Sequence, residues 1–232
     1  MKKIIFAFIF TVSLITNLTA QDHQEVSYQN PLKNATDSLS YSFGVLIGNN
    51  IMTQGVKELN HDLFIQGFNA GFGNQPPDVS IEDANQIVQS YFNKQIADEA
   101  NVNLQKSAEF LVANQAKEGV VTLPSGLQYK ILEPGEGTPP KATDQVRVHY
   151  TGSFIDGTVF DSSVERNEPI VFGCNQVIPG WTEALQLMKP GAKWMLYIPP
   201  ALAYGEKGAG GVIGPNQALV FEVQLIEVIA GE

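Results

Sequence analysis

One short run of residues, Val177-Ile178-Pro179-Gly180-Trp181, is the part of the chain best suited to form a binding cavity. Because proline presets φ at the first position of a helix, the run predicts an extended segment that turns into a helix over 181–188. Apolar residues recur at helical spacing along this segment and give it one face to lie against a sheet. They are Trp181, Ala184, Leu185 and Met188. An indole is large and carries one donor, so this run alone leaves Trp181 open as a core anchor or as the floor of a cavity.

The charged and nucleophilic residues nearby indicate binding chemistry rather than covalent or metal chemistry. Asp161 stands among apolar residues, so its carboxylate needs a partner, and Arg166 is the expected one. Cys174 is the only cysteine, which excludes an intrachain disulfide, and it is expected to be a small buried or rim thiol. The three histidines of the chain share no ligand spacing. We therefore expect no metal ion and no cofactor.

The elements that must position these residues are short strands in the C-terminal half of the chain. From residue 120 the composition shifts towards Gly, Pro, Val and aromatic residues, and apolar residues alternate with polar ones in several short runs. These runs predict strands at 127–132, 146–151, 194–198 and 218–229. The segment Ile155-Asp156-Gly157-Thr158 predicts a hairpin with a type I′ turn. About five antiparallel strands and one short helix make an α+β domain.

The preceding part of the chain is predicted to be helical. One helix is expected from Asp37 to a stop at Gly55, and a shorter one after Asn60. Ser80 with Asp83 resembles a capping box that opens a third helix. No Gly or Pro follows before residue 119, so this helix would be roughly 55–60 Å long if unbroken. Its first half carries an apolar stripe, whereas its second half is much more polar.

Helices of this size bury little surface by themselves. Two short helices and half of a long one form a unit with a small core, so a second copy of the chain is expected to cover the remaining apolar stripe. The hypothesis is a homodimer joined through residues 37–96, with the long helix as a stalk. The alternative is a helical unit that packs back on its own C-terminal domain. The predicted domains are a helical dimerisation domain with its stalk at 37–119 and a sheet domain at 120–232.

The N-terminus predicts export. The charged start Met1-Lys2-Lys3 and the apolar residues 4–15 fit a signal peptide, and small residues before Gln21 offer a cleavage site, so the predicted signal peptide is 1–20. A polar leader without periodicity follows at 21–36. The net charge of −10 repels phosphate backbones, so nucleic acid is not an expected partner.

Five ordered blocks of the sequence carry a resemblance to a known family. They are Val-His-Tyr-Thr-Gly (148–152), Asp-Gly-Thr-Val-Phe-Asp-Ser-Ser (156–163), Val-Ile-Pro-Gly-Trp (177–181), Ala-Tyr-Gly (203–205) and Leu-Val-Phe-Glu-Val (219–223). With these blocks the chain resembles the FKBP-type peptidyl-prolyl cis-trans isomerases. Two further segments, 37–44 and 123–130, resemble the exported bacterial Mip-like and FkpA-like branch of that family.

The resemblance implies a fold, an activity and partners. The antiparallel sheet would form a half-barrel wrapped around the short helix, and the apolar cup between them would be the active site. The activity would be isomerisation of prolyl bonds in exported polypeptide clients, without a cofactor. The implied location is the periplasm, with association with the outer membrane as an alternative. Members of this branch are typically homodimers through their helical half, and macrolide inhibitors of the family are candidate ligands.

The resemblance also assigns roles to individual residues. The implied catalytic residues are Asp161, Tyr150, Tyr204 and Phe221. The implied substrate-binding residues are Phe160, Arg166, Phe172, Val177, Ile178, Trp181 and Ile213. Trp181 would lie beneath the proline ring, and Tyr204 and the Ile178 N–H would donate hydrogen bonds to substrate carbonyls. Ile170 and Ala209 replace an aromatic residue and a histidine found in other members, and both changes would reduce contacts with bulky macrolides.

A dry aromatic cup offers a physical route to this activity. Rotation about a prolyl bond is slow because the amide loses conjugation, with a barrier near 18–20 kcal/mol. A twisted amide is less polar than a planar one, so an apolar cavity favours it relative to water, which is differential binding of the transition state. Two compatible roles are open for Asp161, a loop-bracing salt bridge and polarisation of the twisting amide. The rival hypothesis is a dimeric periplasmic chaperone that uses the same cleft only to hold clients.

Overall fold

The computed structural model describes residues 32–73 and 75–229, in two compact units that divide after Pro77. The predicted signal peptide, 1–20, lies outside the described residues, as does most of the predicted leader, 21–36. None of the described helices is long and apolar enough to cross a membrane. The fold class is the predicted α+β arrangement of helices and an antiparallel sheet.

The first unit contains two helices whose starts are fixed by asparagine caps. α1 spans Ala35–Thr53 and α2 spans His61–Gly71. The side chains of Asn34 and Asn60 each accept a backbone N–H three residues along, at 2.9 and 3.1 Å, which satisfies a donor that a helix start leaves unpaired. Gly55, at φ +89°, follows the end of α1 as predicted. Along their described lengths neither helix has a buried residue.

The second unit begins with one long helix. α3 spans Ile81–Gln115, which makes it about 52 Å long at ~1.5 Å per residue. In its predicted capping box the Asp83 N–H donates to Ser80 Oγ at 3.0 Å, and that hydroxyl donates to the Asp83 carboxylate at 2.8 Å. Two polar side chains of its second half, Ser107 and Asn114, are buried. α3 groups with the sheet, so the structural division lies after Pro77, earlier in the chain than the predicted boundary.

The sheet of the second unit has seven antiparallel strands, two more than the approximate number expected. They span Val120–Thr122 (β1), Gln128–Glu133 (β2), Gln145–Phe154 (β3), Val159–Ser162 (β4), Ile170–Gly173 (β5), Lys193–Ile198 (β6) and Leu219–Ile229 (β7). Their order across the sheet is β1-β2-β6-β7-β3-β4, and β5 pairs with β3. β1, β4 and β5 have only three or four residues each, which is too short to show a period in the sequence.

The hairpin between β3 and β4 is present, but the prediction of a type I′ turn was wrong. That turn needs positive φ at both central residues, whereas only Gly157, at φ +90°, has it here and Asp156 does not. The Gly157 N–H donates to Phe154 O at 3.0 Å, and the Phe154 N–H donates to Thr158 O at 2.9 Å. The Asp156 side chain accepts the Thr158 N–H at 2.9 Å and stabilises this longer loop with one left-handed glycine.

One face of the sheet packs on a single short helix, α4, which spans Pro179–Leu185. The predicted apolar face is buried, and it consists of Trp181, Ala184, Leu185 and Met188. The helix ends three residues earlier than expected, because the Met188 N–H also bonds Leu185 O at 3.2 Å and the last turn tightens. Gly180 allows the close approach of helix and sheet, since a Cβ there would lie 2.5 Å from Ile198 Cγ2.

Candidate active site

The indole of Trp181 lies where α4 meets the sheet, in contact with three other aromatic rings. The ring centroids of Tyr150 and Phe221 are each 5.4 Å from that of Trp181, and the centroid of Phe172 is 5.9 Å away. The interplanar angles are 86°, 88° and 82°, so all three rings meet the indole edge to face. This geometry is favoured by the aromatic quadrupoles and fixes the plane of the indole. Trp181 is 4% exposed, and its Nε1 has no hydrogen-bond partner within the described residues.

These rings line an open cleft of about 460 Å³, which we call the cup. Its lining residues are Tyr150, Phe160, Asp161, Phe172, Gln176, Val177, Ile178, Trp181, Tyr204 and Phe221. The volume falls in the range of ligand sites in proteins, roughly 300–1,000 Å³. Most of the lining is aromatic or aliphatic, so the cup offers few groups that would hold water against a ligand.

Gly152 of β3 gives two aromatic rings of the cup the space to approach the sheet. A Cβ at this position would lie 2.7 Å from Phe221 Cε1 and 2.8 Å from Phe160 Cε2. Phe160 in turn meets Phe221 edge to face, with the centroids 5.7 Å apart. A larger residue at 152 would therefore displace both rings towards the cup.

Asp161 of β4 is held by two polar neighbours, one of which is its expected partner Arg166. The Tyr150 hydroxyl donates to Asp161 Oδ2, and the Arg166 guanidinium forms a hydrogen-bonded ion pair with Oδ1. Arg166 Nη2 also donates to Tyr150 Oη, at 3.4 Å. Both carboxylate oxygens are therefore engaged, and the three side chains form a closed ring of hydrogen bonds.

This ring sets the protonation states of the two groups that face the cup. Burial alone would raise the pKa of Asp161, but the hydrogen bonds from Tyr150 and Arg166 and the charge of the guanidinium outweigh it, and the pKa is lowered from its ordinary value of 3.8. Burial and the hydrogen bond to Asp161 raise the pKa of Tyr150 above its ordinary value of 10.0. At neutral pH the cup presents a carboxylate and a protonated phenol, and neither is poised to exchange a proton.

The rim of the cup carries two donors that a ligand could reach, the Tyr204 hydroxyl and the Ile178 N–H. Tyr204 is 39% exposed and immediately precedes a 3₁₀ turn at Gly205–Lys207. The Ile178 carbonyl accepts hydrogen bonds at the start of α4, whereas its N–H takes part in no hydrogen bond in the part of the chain that the structure describes. Beyond the turn, the Ala209 N–H donates to Ile213 O at 2.8 Å and closes a short loop.

Most of the residues assigned from the resemblance come together in the cup, and two do not line it. Arg166 lies behind Asp161, and Ile213 packs against the hydrophobic core. Gln176 lines the cup and was not expected from the sequence. Two features of the sequence indicate its position: Gln176 directly precedes Val177, and a glycine stands nearby at 173. A Cβ at Gly173 would lie 3.0 Å from the Gln176 side chain, so the glycine leaves room for it.

Two observations concern nucleophilic and metal chemistry. Cys174 is fully buried and does not line the cup, and burial, followed by the charge of Asp144, raises the pKa of its thiol. A thiol with a raised pKa is a poor nucleophile, in agreement with the expectation of a structural cysteine. Within residues 32–73 and 75–229 there is no cluster of three or more His, Cys, Asp or Glu that could hold a metal ion.

Two family models match the chain. The model described as FKBP-type peptidyl-prolyl cis-trans isomerase matches residues 136–226, and the model described as the domain amino terminal to FKBP-type peptidyl-prolyl isomerase matches residues 36–131. The peptidyl-prolyl cis-trans isomerase Mip of Coxiella burnetii is 43% identical over 98% of this chain and 99% of its own. The outer membrane protein MIP of Legionella longbeachae is 40% identical over 97% of each chain.

A solved structure agrees with these similarities. The crystal structure of FkpA from Escherichia coli superposes with a TM-score of 0.70 at 35% sequence identity, and the match covers 87% of this chain and 100% of that one. The similarity therefore extends over the helical part and the sheet.

Proposed function

The chain belongs to the FKBP-type peptidyl-prolyl cis-trans isomerases, and on this basis we propose that the cup is where it isomerises prolyl bonds. The observation that carries the proposal is that three aromatic rings stand nearly perpendicular to the Trp181 indole and line an open, largely apolar cleft with it. A proline ring is apolar and compact, and it would bury its surface on the indole face.

The cup would accelerate rotation by binding the twisted amide better than the planar one. Loss of conjugation reduces the charge on the carbonyl oxygen and makes the nitrogen pyramidal, so the twisted amide loses less hydration energy on entering an apolar site. Each ~1.4 kcal/mol of such differential binding gives about a factor of ten in rate. No covalent intermediate is required by this mechanism.

Asp161 would act chiefly by holding the wall of the cup in place. Both of its oxygens already accept hydrogen bonds, from Tyr150 and from Arg166, so the carboxylate fixes the phenol ring that stands nearly perpendicular to Trp181. Its fixed negative charge would in addition polarise an amide bound beside it. The two roles assigned to Asp161 are therefore compatible in one geometry.

Tyr204 and the Ile178 N–H would orient the substrate. Both residues line the cup, and neither donor takes part in a hydrogen bond within the described part of the chain. Hydrogen bonds to the carbonyls that flank the prolyl bond would hold those carbonyls while the bond between them rotates.

Proline-limited refolding of a model protein tests the proposed function. Catalytic amounts of the wild-type protein are expected to accelerate the slow phase, and Tyr150→Ala and Asp161→Val to lower kcat/KM by roughly tenfold or more. Asp98→Val, which removes an exposed carboxylate paired with Lys94 on α3, is the matched control and is expected to retain full activity. A wild-type protein that suppresses aggregation without accelerating refolding would favour the chaperone hypothesis instead.

The clients that we propose are exported polypeptides. The predicted signal peptide supports export, and a relative from Legionella longbeachae is named an outer membrane protein. The periplasm is the proposed location, and association with the outer membrane is the alternative.

Macrolide inhibitors are proposed to bind weakly, because Ile170 and Ala209 offer less contact surface than an aromatic ring and an imidazole.

The chain is proposed to act as a homodimer through residues 37–96. The support is that α1 and α2 have no buried residue and carry large exposed apolar side chains. They include Leu39, Phe43, Leu46, Leu63, Phe64 and Phe68. A group of large exposed apolar side chains is typical of an interface. A second copy of the same helices would cover it.

A further inference from the structure

A second cleft lies in the same unit as the cup, between α3 and the segments that border Tyr204 and precede β7. Its volume is about 440 Å³, and we call it the side cleft. It is lined by Asn93, Ile96, Ala97, Ala100, Asn101, Glu206 and Asn216. None of these residues lines the cup, so the side cleft is a separate feature of the surface.

One wall of the side cleft is fixed to α3 by hydrogen bonds. Ser107, which is 2% exposed, donates from Oγ to Asn216 O at 3.0 Å and accepts the Ala218 N–H at 2.8 Å. Asn103 Nδ2 donates to Pro215 O at 2.9 Å. Because these bonds hold the wall in place, a ligand would not have to organise the cleft when it binds.

The same wall connects the side cleft to the cup. The Asn216 N–H donates to Gly205 O at 2.8 Å, and Gly205 directly follows Tyr204 at the rim of the cup. Glu206 in the side cleft is therefore no more than about 7 Å along the chain from Tyr204. The rim of the cup and the side cleft therefore lie on neighbouring residues of the same stretch of backbone.

The lining of the side cleft suits the main chain of a peptide. In the single chain the side chains of Asn93 and Asn101 are exposed and make no hydrogen bond within the described residues. Each amide offers donors and an acceptor, and the main chain of an extended peptide offers the complementary groups at every residue, whatever its sequence. Ile96 and Ala97 add apolar surface between the amides.

We propose that the side cleft is a second subsite for the client, which holds an extended segment beside the proline that the cup isomerises. This inference rests on the proposed function of the cup. Glu206 and the net charge of −10 favour client segments that contain Lys or Arg. A short substrate engages the cup alone, whereas a long one engages both sites, so the side cleft gives preference for polypeptides over small peptides.

The dependence of kcat/KM on substrate length tests this inference. A prolyl tetrapeptide is compared with a Lys-containing prolyl peptide of about twelve residues, which extends over roughly 40 Å. The wild-type protein is expected to show a kcat/KM about fivefold higher for the long peptide, mainly through a lower KM. Ala97→Trp, which fills the side cleft from the exposed face of α3, is expected to remove this advantage and to leave the tetrapeptide reaction unchanged.

Ala113→Trp places the same bulk at an exposed position of α3 outside the side cleft, and it is expected to behave as wild type. Tetrapeptide activity reports whether each variant folds, and it is the readout of the proposed function itself. An inactive wild-type protein would refute the proposed function of the cup, and with it the second subsite that rests on it. An active wild type with no length dependence, or an Ala97→Trp variant that retains it, would overturn the side cleft alone. So would an Ala97→Trp variant that changes only the oligomeric state, because the cleft would then be covered by a second copy.

Discussion

Trp181 meets three aromatic rings edge to face, and one of these rings, Phe221, is backed by Gly152. Each contact constrains the next, so the shape of the cup depends on the volume of residues that never touch a ligand. The polar ring of Tyr150, Asp161 and Arg166 fixes one wall in the same way. Individual substitutions can therefore test the shape of the cup and the charge of Asp161 separately.

Gly152→Ala tests the role of shape. The added methyl would lie within 2.8 Å of the rings of both Phe221 and Phe160, so we expect these rings to move into the cup. The expected result is a fall in kcat/KM of roughly tenfold and a loss of about 1–3 kcal/mol in the free energy of unfolding. Gly44→Ala on α1, outside the unit that holds the cup, is the kinetic control and should leave kcat/KM unchanged, although Ala is favoured over Gly in a helix by about 1 kcal/mol. Unchanged kinetics in Gly152→Ala would show that the two rings can accommodate the methyl without altering the cup.

Asp161→Asn tests the role of charge. Because the pKa of Asp161 is lowered in the folded state, its carboxylate stabilises the fold above the ordinary pKa near 3.8, and this contribution is lost as the pH falls through the lower folded-state pKa. Wild type should therefore be more stable than the variant at neutral pH, and the difference should shrink below about pH 4.

Urea denaturation of wild type and Asp161→Asn across this pH range provides the measurement. The difference is expected to be small at every pH, because the side chains of Arg166 and Asp161 are 46% and 40% exposed and solvent screens the pair. A stability difference that widens on acidification would contradict the lowered pKa.

The aromatic residues of the cup could be assigned from the sequence only through the resemblance of its ordered blocks to a known family. The sequence also predicted that Arg166 pairs with Asp161, but it did not predict that Arg166 and Ile213 lie outside the lining of the cup and Gln176 within it. Whether a side chain lines a cleft or stands behind another depends on rotamers and on neighbours from distant strands, and a linear spacing does not encode them. Gln176 faces the cup because Gly173 leaves room for its side chain.

At the scale of the elements, α3 is attached to the sheet through polar side chains. Ser107 bonds the backbone near β7, and Asn114 Nδ2 donates to Gln128 Oε1 of β2 at 2.9 Å. A search for apolar periodicity overlooks such contacts, because the buried residues are polar and their partners are remote in sequence. The start and end of α3 were predictable from local chemistry, whereas its docking face was not.

Ser107→Ala tests this attachment. The substitution would leave the buried Ala218 N–H and the Asn216 carbonyl without their partner, and an unmet buried hydrogen bond costs about 1–3 kcal/mol. We expect the variant to lose stability by that amount and hydrogen exchange at the Ala218 amide to accelerate. Ser90→Ala, at an exposed position of the same helix, should change stability by no more than about 0.5 kcal/mol. Slow exchange at Ala218 in Ser107→Ala would show that α3 does not hold this segment.

The short strands could not be predicted from the sequence, for a different reason. β3, β6 and β7 are long enough to show alternation, and the sequence predicts them, whereas β1, β4 and β5 owe their extended form to pairing with longer neighbours. The turn at Gly157 differs from type I′ because Asp156 caps its own loop. Side-chain to backbone hydrogen bonds of this kind compete with the backbone preference of a dipeptide.

At the scale of the whole molecule, the exposed apolar residues of the first unit are the main support for the proposed homodimer. Neither α1 nor α2 buries a residue, so these helices gain little from packing within the chain. The proposed dimer would provide that packing, while the cup consists of residues from the second unit alone. Assembly and catalysis should therefore be separable.

Sedimentation of the mature protein tests the dimer. Wild type is expected to sediment at twice the mass of one chain at micromolar concentration, and Phe68→Glu on α2 to sediment as a monomer that retains tetrapeptide activity. Phe68 is 49% exposed in the single chain; Val121 of β1, 43% exposed, provides a matched control as Val121→Glu, which should remain dimeric. A monomeric wild type would refute the proposed assembly.

The preference of the cup for a non-planar amide is most directly measured by comparing two ligands in a calorimeter. One is a short prolyl peptide, and the other is an analogue of the same size whose prolyl amide is replaced by a group held out of plane. The proposed mechanism predicts that the non-planar analogue binds at least about a hundredfold more tightly, and that Trp181→Ala reduces this ratio. Equal dissociation constants for the two ligands would contradict it.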